Sequence, residues 1–375
     1  MGVFTSTSTD WSELGRRFSG WLQMRDPAKP EVSAFRPASD ASGYSNETFL
    51  ATLASPDGER RDVIVRAGPG PDAPGFFPTY DMYQQCAVMR GLSAPADVPV
   101  PGCRWFDEDT SLFGTPFFVM DMVDGDIPKD HPLFTTAGFV ADASVGQRRA
   151  FWESTVAAIA AVGETDWRLA GLDFLDWKDN GQSRLASLID YWDGYYNWSI
   201  GDGSRPDDDA DVATMSRWLR KHAPVDEPVG LVWGDSRFGN IIYRDFRPVA
   251  LLDWEMATIN NPLMDLTYFL FHEQLNVAGM SNEAEARPRL AGFPSHAETI
   301  AHYERLTGRQ ASEARYYWVM NGYKLRVMAE RAFRLFESTG KLSAEQVVHH
   351  RHNYPVMGWT QMAMESTAFP VQPCV

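Results

Sequence analysis

Behind Asp10 and Glu13, Trp11, Leu14, Phe18, Trp21 and Leu22 recur at three- and four-residue intervals, which predicts a capped amphipathic helix near the start of the chain. From about residue 30 to 123 the period shortens to two. "YSNETFLATLA" and "RRDVIVRAG" alternate on either side of "PDG", the pattern of a β-hairpin. "FFPTYDMYQQCAVMRGLSA" returns to helical spacing through Tyr83, Ala87, Met89 and Leu92, and "VPVPGCRWFDED" and "TPFFVMDMVDG" return to strands. Strand, strand, helix, strand, strand describes a small antiparallel sheet with one helix. After Gly125 helical periods dominate, over 145–163, 183–198, 211–222, 263–278, 294–306, 311–339 and 343–366. Only "LVWGDSRFGNIIYRDFRPVALLDWEMA", residues 231–257, interrupts them, with two apolar runs joined by a turn. The expected fold class is α+β, with a helical extension over 1–29, a β-rich lobe over 30–123 and a helical lobe over 124–375.

Composition narrows the function. A chain of 375 residues with 44% hydrophobic content and 13 Trp has enough apolar surface for two lobes. Its net charge of -16 argues against a nucleic-acid partner, because phosphate backbones need a basic face. No run is long and apolar enough to cross a membrane, so none is expected as a partner. Cys86, Cys103 and Cys374 are too few and too scattered for a disulfide framework or a zinc site, and a reduced, cytoplasmic setting is expected. The acidic "GDGSRPDDDAD" predicts an exposed loop.

The interrupting segment carries the chemistry. Its hairpin brings Asn240, at the start of one strand, near Asp253, at the end of the other. Asp235 lies five residues before Asn240 across a loop. Such groups are common turn formers. Three of them flanking apolar strands would nevertheless be costly if buried without partners. A carboxylate and an amide oxygen suit magnesium, which completes its shell with phosphates and water, and the remaining carboxylate is placed to accept a proton. No Walker A sequence is present, since Gly340-Lys341 lacks the following Ser or Thr, and "GPGPDAPG" does not have the spacing of a dinucleotide fingerprint.

"WGDSRFGN", "LLDWE" and "NPLMDL" together resemble the catalytic and metal-binding loops of the aminoglycoside phosphotransferase and choline kinase-like family, over roughly residues 40 to 275. The branch with "LDWE" also occurs joined to acyl-CoA dehydrogenases. The resemblance implies a protein kinase-like, two-lobed fold using ATP and magnesium (Mg2+). In it Asp235 would be the catalytic carboxylate, Asn240 and Asp253 would hold the metal, and Asp265 would either brace the catalytic loop or cap a helix. For the nucleotide it implies Ser45 and Asn46 in "SGYSNET" and Arg66 where the family often has lysine. Met120, Asp121 and Val123 of "FFVMDMVDG" would lie near adenine. Two positions depart from the pattern: Gln85 where the cation's helix partner is usually Glu, and Trp233 where His is usual.

The acceptor is barely legible. Trp192, Tyr196, His272 and Glu273 are candidates because aromatics and a His-Glu pair fall in the helical lobe. The expected activity is transfer of the ATP γ-phosphoryl group to a hydroxyl of a small molecule. A catalytically weak nucleotide-binding or regulatory module, or a metal-dependent hydrolase, are the alternatives.

Overall fold

A computed structural model of the chain describes residues 10–38, 46–70, 75–93, 98–130, 132–177, 181–201, 209–225, 227–278 and 289–366. Two compact units form. One is built from the described residues within Met1–Ser93 and Pro101–Val123, the other from those within Ala94–Val100 and Asp124–Val375.

The first unit is an antiparallel sheet of β1 (Glu31–Pro37), β2 (Glu47–Ala54), β3 (Arg60–Ala67), β4 (Cys103–Asp107) and β5 (Phe117–Asp121), in the order β1-β2-β3-β5-β4. The β2–β3 hairpin pairs Glu47 with Ala67 and Leu50 with Ile64. Strand β1 is one more than the alternation indicated. A register shift between Val32 and Ala34 breaks its period of two, and four of its seven residues are exposed. Alternation in β2 and β3 puts Phe49, Ala51, Leu53, Val63 and Val65 on one face. Helix α1 (Trp11–Gln23) covers that face with Leu14, Phe18, Trp21 and Leu22. Asp10 starts α1 by accepting from the amides of Ser12 and Glu13, both at 3.0 Å.

Helix α2 (Met82–Leu92) packs against β4 and β5. There the cysteine expectation fails. Cys86 of α2 and Cys103 of β4 are joined by a disulfide, with Cα atoms 5.5 Å apart. Seventeen residues separate them along the chain, and only the packing of helix on sheet makes them neighbours.

The second unit holds α3 (Val145–Glu164), α4 (Arg184–Ile200), α5 (Ala210–Lys221), α6 (Leu263–Ala278), α7 (His296–Thr307), α8 (Ala314–Ser338), α9 (Ala344–His352) and α10 (Val356–Glu365). The single helix expected over 343–366 is two helices, because Pro355 lacks the amide that a continuous helix needs. Helix α8 runs through the core against α4, α5, α6 and α10. The interrupting segment is two small ribbons rather than one. Strand β6 (Gly230–Val232) pairs with β9 (Thr258–Asn260), and β7 (Ile241–Arg244) pairs with β8 (Arg247–Leu251). The polar residues of interest lie where β6 gives way to β7 and where β8 gives way to β9.

Candidate active site

Two turns carry the polar residues. After β6 the chain passes Gly234 and Asp235 and closes a 3-10 turn over Phe238–Asn240. After β8 it passes Asp253 into a second 3-10 turn over Trp254–Met256. Asp253 has φ +66, a left-handed conformation that a non-glycine residue rarely adopts.

The ribbon register brings these turns together. The Leu252 amide donates to the Asn240 carbonyl at 2.9 Å, which sets Asp253 one residue from Asn240. Asn240 Nδ2 donates to Asp235 Oδ2 at 2.7 Å and to the Asp235 carbonyl at 3.0 Å. The three groups singled out in the sequence therefore share one locality. Trp233, in the place of the usual His, is fully buried. Its Nε1 donates to the Leu252 carbonyl at 2.8 Å, so the indole ties one turn to the other.

Helix α6 supports the first turn from below. Asp265 accepts from the amides of Trp233 at 2.6 Å and Gly234 at 2.8 Å, and its own carbonyl accepts from Ser236 Oγ at 2.7 Å. Of the two roles open to Asp265, this is the brace. Three and seven residues further along the same helix stand Tyr268 and His272, with ring centroids 4.6 Å apart. From α8, Lys324 Nζ donates to the Gly234 carbonyl and lies 4.3 Å from the centre of the Tyr268 ring. Arg237 reaches Asp235 Oδ2 at 3.4 Å and Asp130 Oδ2 at 3.2 Å.

These neighbours set the charge of the site. Burial by itself would raise the pKa of Asp235. Arg237, Lys324 and hydrogen bonding from the Tyr268 phenol more than offset that, and the carboxylate is held below its ordinary range. Its side chain keeps 14% exposure. Burial pushes His272 down to about 4 against the pull of Asp235, so the imidazole is neutral. Burial likewise lowers Lys324 to about 8 against Asp235 and Asp265, and raises Asp265 to about 6 against its two amide donors.

Of the acceptor candidates, His272 lies in this polar cluster, and Trp192 is buried with Lys324 Nζ 5.5 Å from its ring centre. Glu273 is instead engaged by Arg289 at 2.7 Å and His296 at 3.0 Å, and the Tyr196 hydroxyl donates to Asp209 at 3.1 Å, so neither joins this cluster. Tyr268 was legible in principle, at i+3 from Asp265. Nothing local marks Lys324, 90 residues from Gly234.

In the first unit Asn46 is buried just before β2, and Arg66 of β3 stands opposite Thr48 and Phe118. Ser45 lies outside the described residues. Met120 is buried, Asp121 is ion-paired with Arg104, and half-buried Val123 follows. Gln85 is buried and directs Nε2 to the Met82 sulfur at 3.9 Å.

A family model described as the phosphotransferase enzyme family matches residues 38–316, and the chain belongs to that family. It is 28% identical over 257 residues to the probable acyl-CoA dehydrogenase IBR3 of Arabidopsis thaliana, covering 67% of this chain and 29% of that protein. To human acyl-CoA dehydrogenase family member 11 it is 29% identical over 299 residues, 79% of this chain and 34% of that one. The chain thus spans about a third of the length of these relatives. Among solved structures, a putative aminoglycoside phosphotransferase from Ralstonia eutropha superposes with a TM-score of 0.66 at 22% identity, over 94% of this chain and 97% of that one. A thermostable mutant of aminoglycoside phosphotransferase APH(4)-Ia, in ternary complex with AMP-PNP and hygromycin B, gives 0.57 at 16% identity, over 94% and 99%. The fold is the α+β, kinase-like fold of these enzymes.

Proposed function

We propose that the chain is an ATP- and magnesium-dependent phosphotransferase that moves the γ-phosphoryl group to a hydroxyl of a small molecule. The observation that carries this is the 2.7 Å bond from Asn240 Nδ2 to Asp235 Oδ2, beside a turn that presents Asp253. Committing the Asn240 nitrogen to Asp235 leaves its Oδ1, with the Asp253 carboxylate, as the hard-oxygen pair that would hold magnesium. Among the described residues no group of three or more His, Cys, Asp or Glu side chains is placed to hold a metal ion. A two-ligand set fits magnesium, which takes its remaining ligands from phosphate and water. When bound, the ion would neutralise charge on the transferring phosphates.

Asp235, ionised and oriented by Asn240 and Arg237, would align the acceptor hydroxyl and take its proton. On the nucleotide side, Arg66 would fork onto phosphate oxygens, with Ser45 and Asn46 as further donors and Met120, Asp121 and Val123 beside the base. The AMP-PNP complex of a structural neighbour supports a nucleotide substrate. A cytoplasmic location, where ATP is abundant, and the absence of nucleic-acid and membrane partners belong to the same proposal. Among the described residues no helix is long and apolar enough to cross a membrane. Gln85, a neutral group where an acidic partner is usual, favours a second reading, a weak nucleotide-binding module.

Mg-ATP is expected to raise the melting temperature and Asp253→Ala to remove that shift. Asp235→Ala should keep the shift and lose turnover by roughly 10²–10⁴-fold. Turnover is read as ADP release against aminoglycosides, amino alcohols, sugars and hydroxyacyl compounds. Binding of Mg-ATP without ADP release across that panel would select the weak module, and no shift in the wild type would sink both readings.

A further inference from the structure

Lys324 is 3% exposed and sits at the middle of α8, surrounded by the Tyr268 ring at 4.3 Å and the Trp192 ring at 5.5 Å. Its hydrogen bond ends on a main-chain atom, the carbonyl of Gly234. That carbonyl belongs to the peptide unit leading into Asp235. The amides of Trp233 and Gly234 are already held by Asp265 of α6. The backbone ahead of Asp235 is therefore gripped on its N–H side by one helix and on its C=O side by another. Gly234 has φ +91, and a Cβ there would come 2.3 Å from the Met256 carbonyl oxygen, so no other residue type replaces the grip by packing.

A buried ammonium is a poor stabilising device. Replacing buried charge with an apolar group of similar shape is often neutral or favourable, because the desolvation penalty disappears. If Lys324 served only the core, methionine would do as well.

We propose that Lys324 is a positioning residue for phosphoryl transfer: by fixing the Gly234–Asp235 peptide it aims the Asp235 carboxylate at the acceptor hydroxyl. The role rests on the phosphotransferase reading above, while the grip itself does not, and the two are separable by experiment.

Lys324→Met and Lys324→Arg are compared with the wild type by hydrogen exchange across residues 231–240, by melting with and without Mg-ATP, and by ADP release with water as the acceptor. In Lys324→Met the amides of Trp233 and Gly234 are expected to exchange about tenfold faster or more, as local opening becomes easier. The melting temperature and the Mg-ATP shift should stay near wild type. Turnover should fall roughly 10- to 100-fold at an unchanged KM for Mg-ATP, the signature of lost aim rather than lost binding. Lys324→Arg, which keeps a cationic donor, should recover part of both losses. Unchanged exchange over 231–240, or turnover within about twofold of wild type, overturns the proposal. A wild type that neither binds Mg-ATP nor releases ADP removes the phosphotransferase reading and with it the catalytic role, and the exchange result then judges the grip by itself. Should Lys324→Met fail to fold, Lys324→Leu, which likewise has no donor, replaces it under the same outcomes.

Discussion

Asp235 is a carboxylate withdrawn from most of its water and still kept ionised, because Arg237, Lys324 and the Tyr268 phenol surround it. A carboxylate of lowered pKa is a weak base, which would suit the proposed phosphoryl transfer, whose loose transition state asks for alignment more than for proton abstraction. His272 stands beside it as a neutral ring whose Nε2 lies inside the protein with no hydrogen-bond partner among the described residues. Its pKa falls from 6.5 to about 4 on folding. Between those values the unfolded chain binds more protons than the native one, so stability rises with pH across that window and is lost as acid approaches 4. His272→Gln is expected to flatten the wild-type slope, with a difference on the order of 3 kcal/mol between the ends of the window. Urea unfolding at pH 4.5, 5.5 and 6.5 measures it, and parallel curves for the two proteins would contradict the assignment.

At the scale of elements, the two ribbons do what a single hairpin could not. Strands β6 and β9 enclose the pair β7–β8, so two tight turns open side by side and their polar residues meet. Gly234 makes the first turn possible, and its role is testable against another glycine. Gly58, in the β2–β3 turn, has φ +89 and open space around it. Gly58→Ala should therefore cost only conformational strain, of the order of 1 kcal/mol. Gly234→Ala meets the Met256 carbonyl as well and should cost roughly 1–3 kcal/mol more, with a further loss of turnover. Equal urea midpoints for the two variants would show that the Met256 backbone yields freely.

For the molecule as a whole, the charge of -16 and the apolar content of 44% do not say where the protein works. The Cys86–Cys103 bridge bears on that question, because cytosolic thiols are normally kept reduced. Protein quenched with N-ethylmaleimide and digested without reductant should yield a peptide pair linked through Cys86 and Cys103. Alkylation of both cysteines in freshly isolated protein would show the bridge open in its native compartment and favour the cytoplasmic proposal.

Much of this was legible along the chain. The alternation of "ETFLATLA" and "RRDVIVRA" determined the hairpin, since a period of two leaves one buried face. Helices α3 to α8 followed from their apolar spacing, and "WGDSRFGN" with "LLDWE" marked the two turns, because short-range backbone chemistry is written locally. Strand β1 was hidden by its bulge, and Cys86 and Cys103 were misjudged because seventeen residues of sequence say nothing of a helix lying on a sheet. Lys324 was beyond reach for the same reason: one buried cation among many helical residues has no local signature. The sequence by itself singled out the groups that are candidates for the chemistry. Only the tertiary structure decided what holds them: Asn240 and Arg237 are neighbours of Asp235 in its own loop, but the grip on the backbone ahead of it comes from Asp265 of α6 and Lys324 of α8, brought there by packing rather than by spacing.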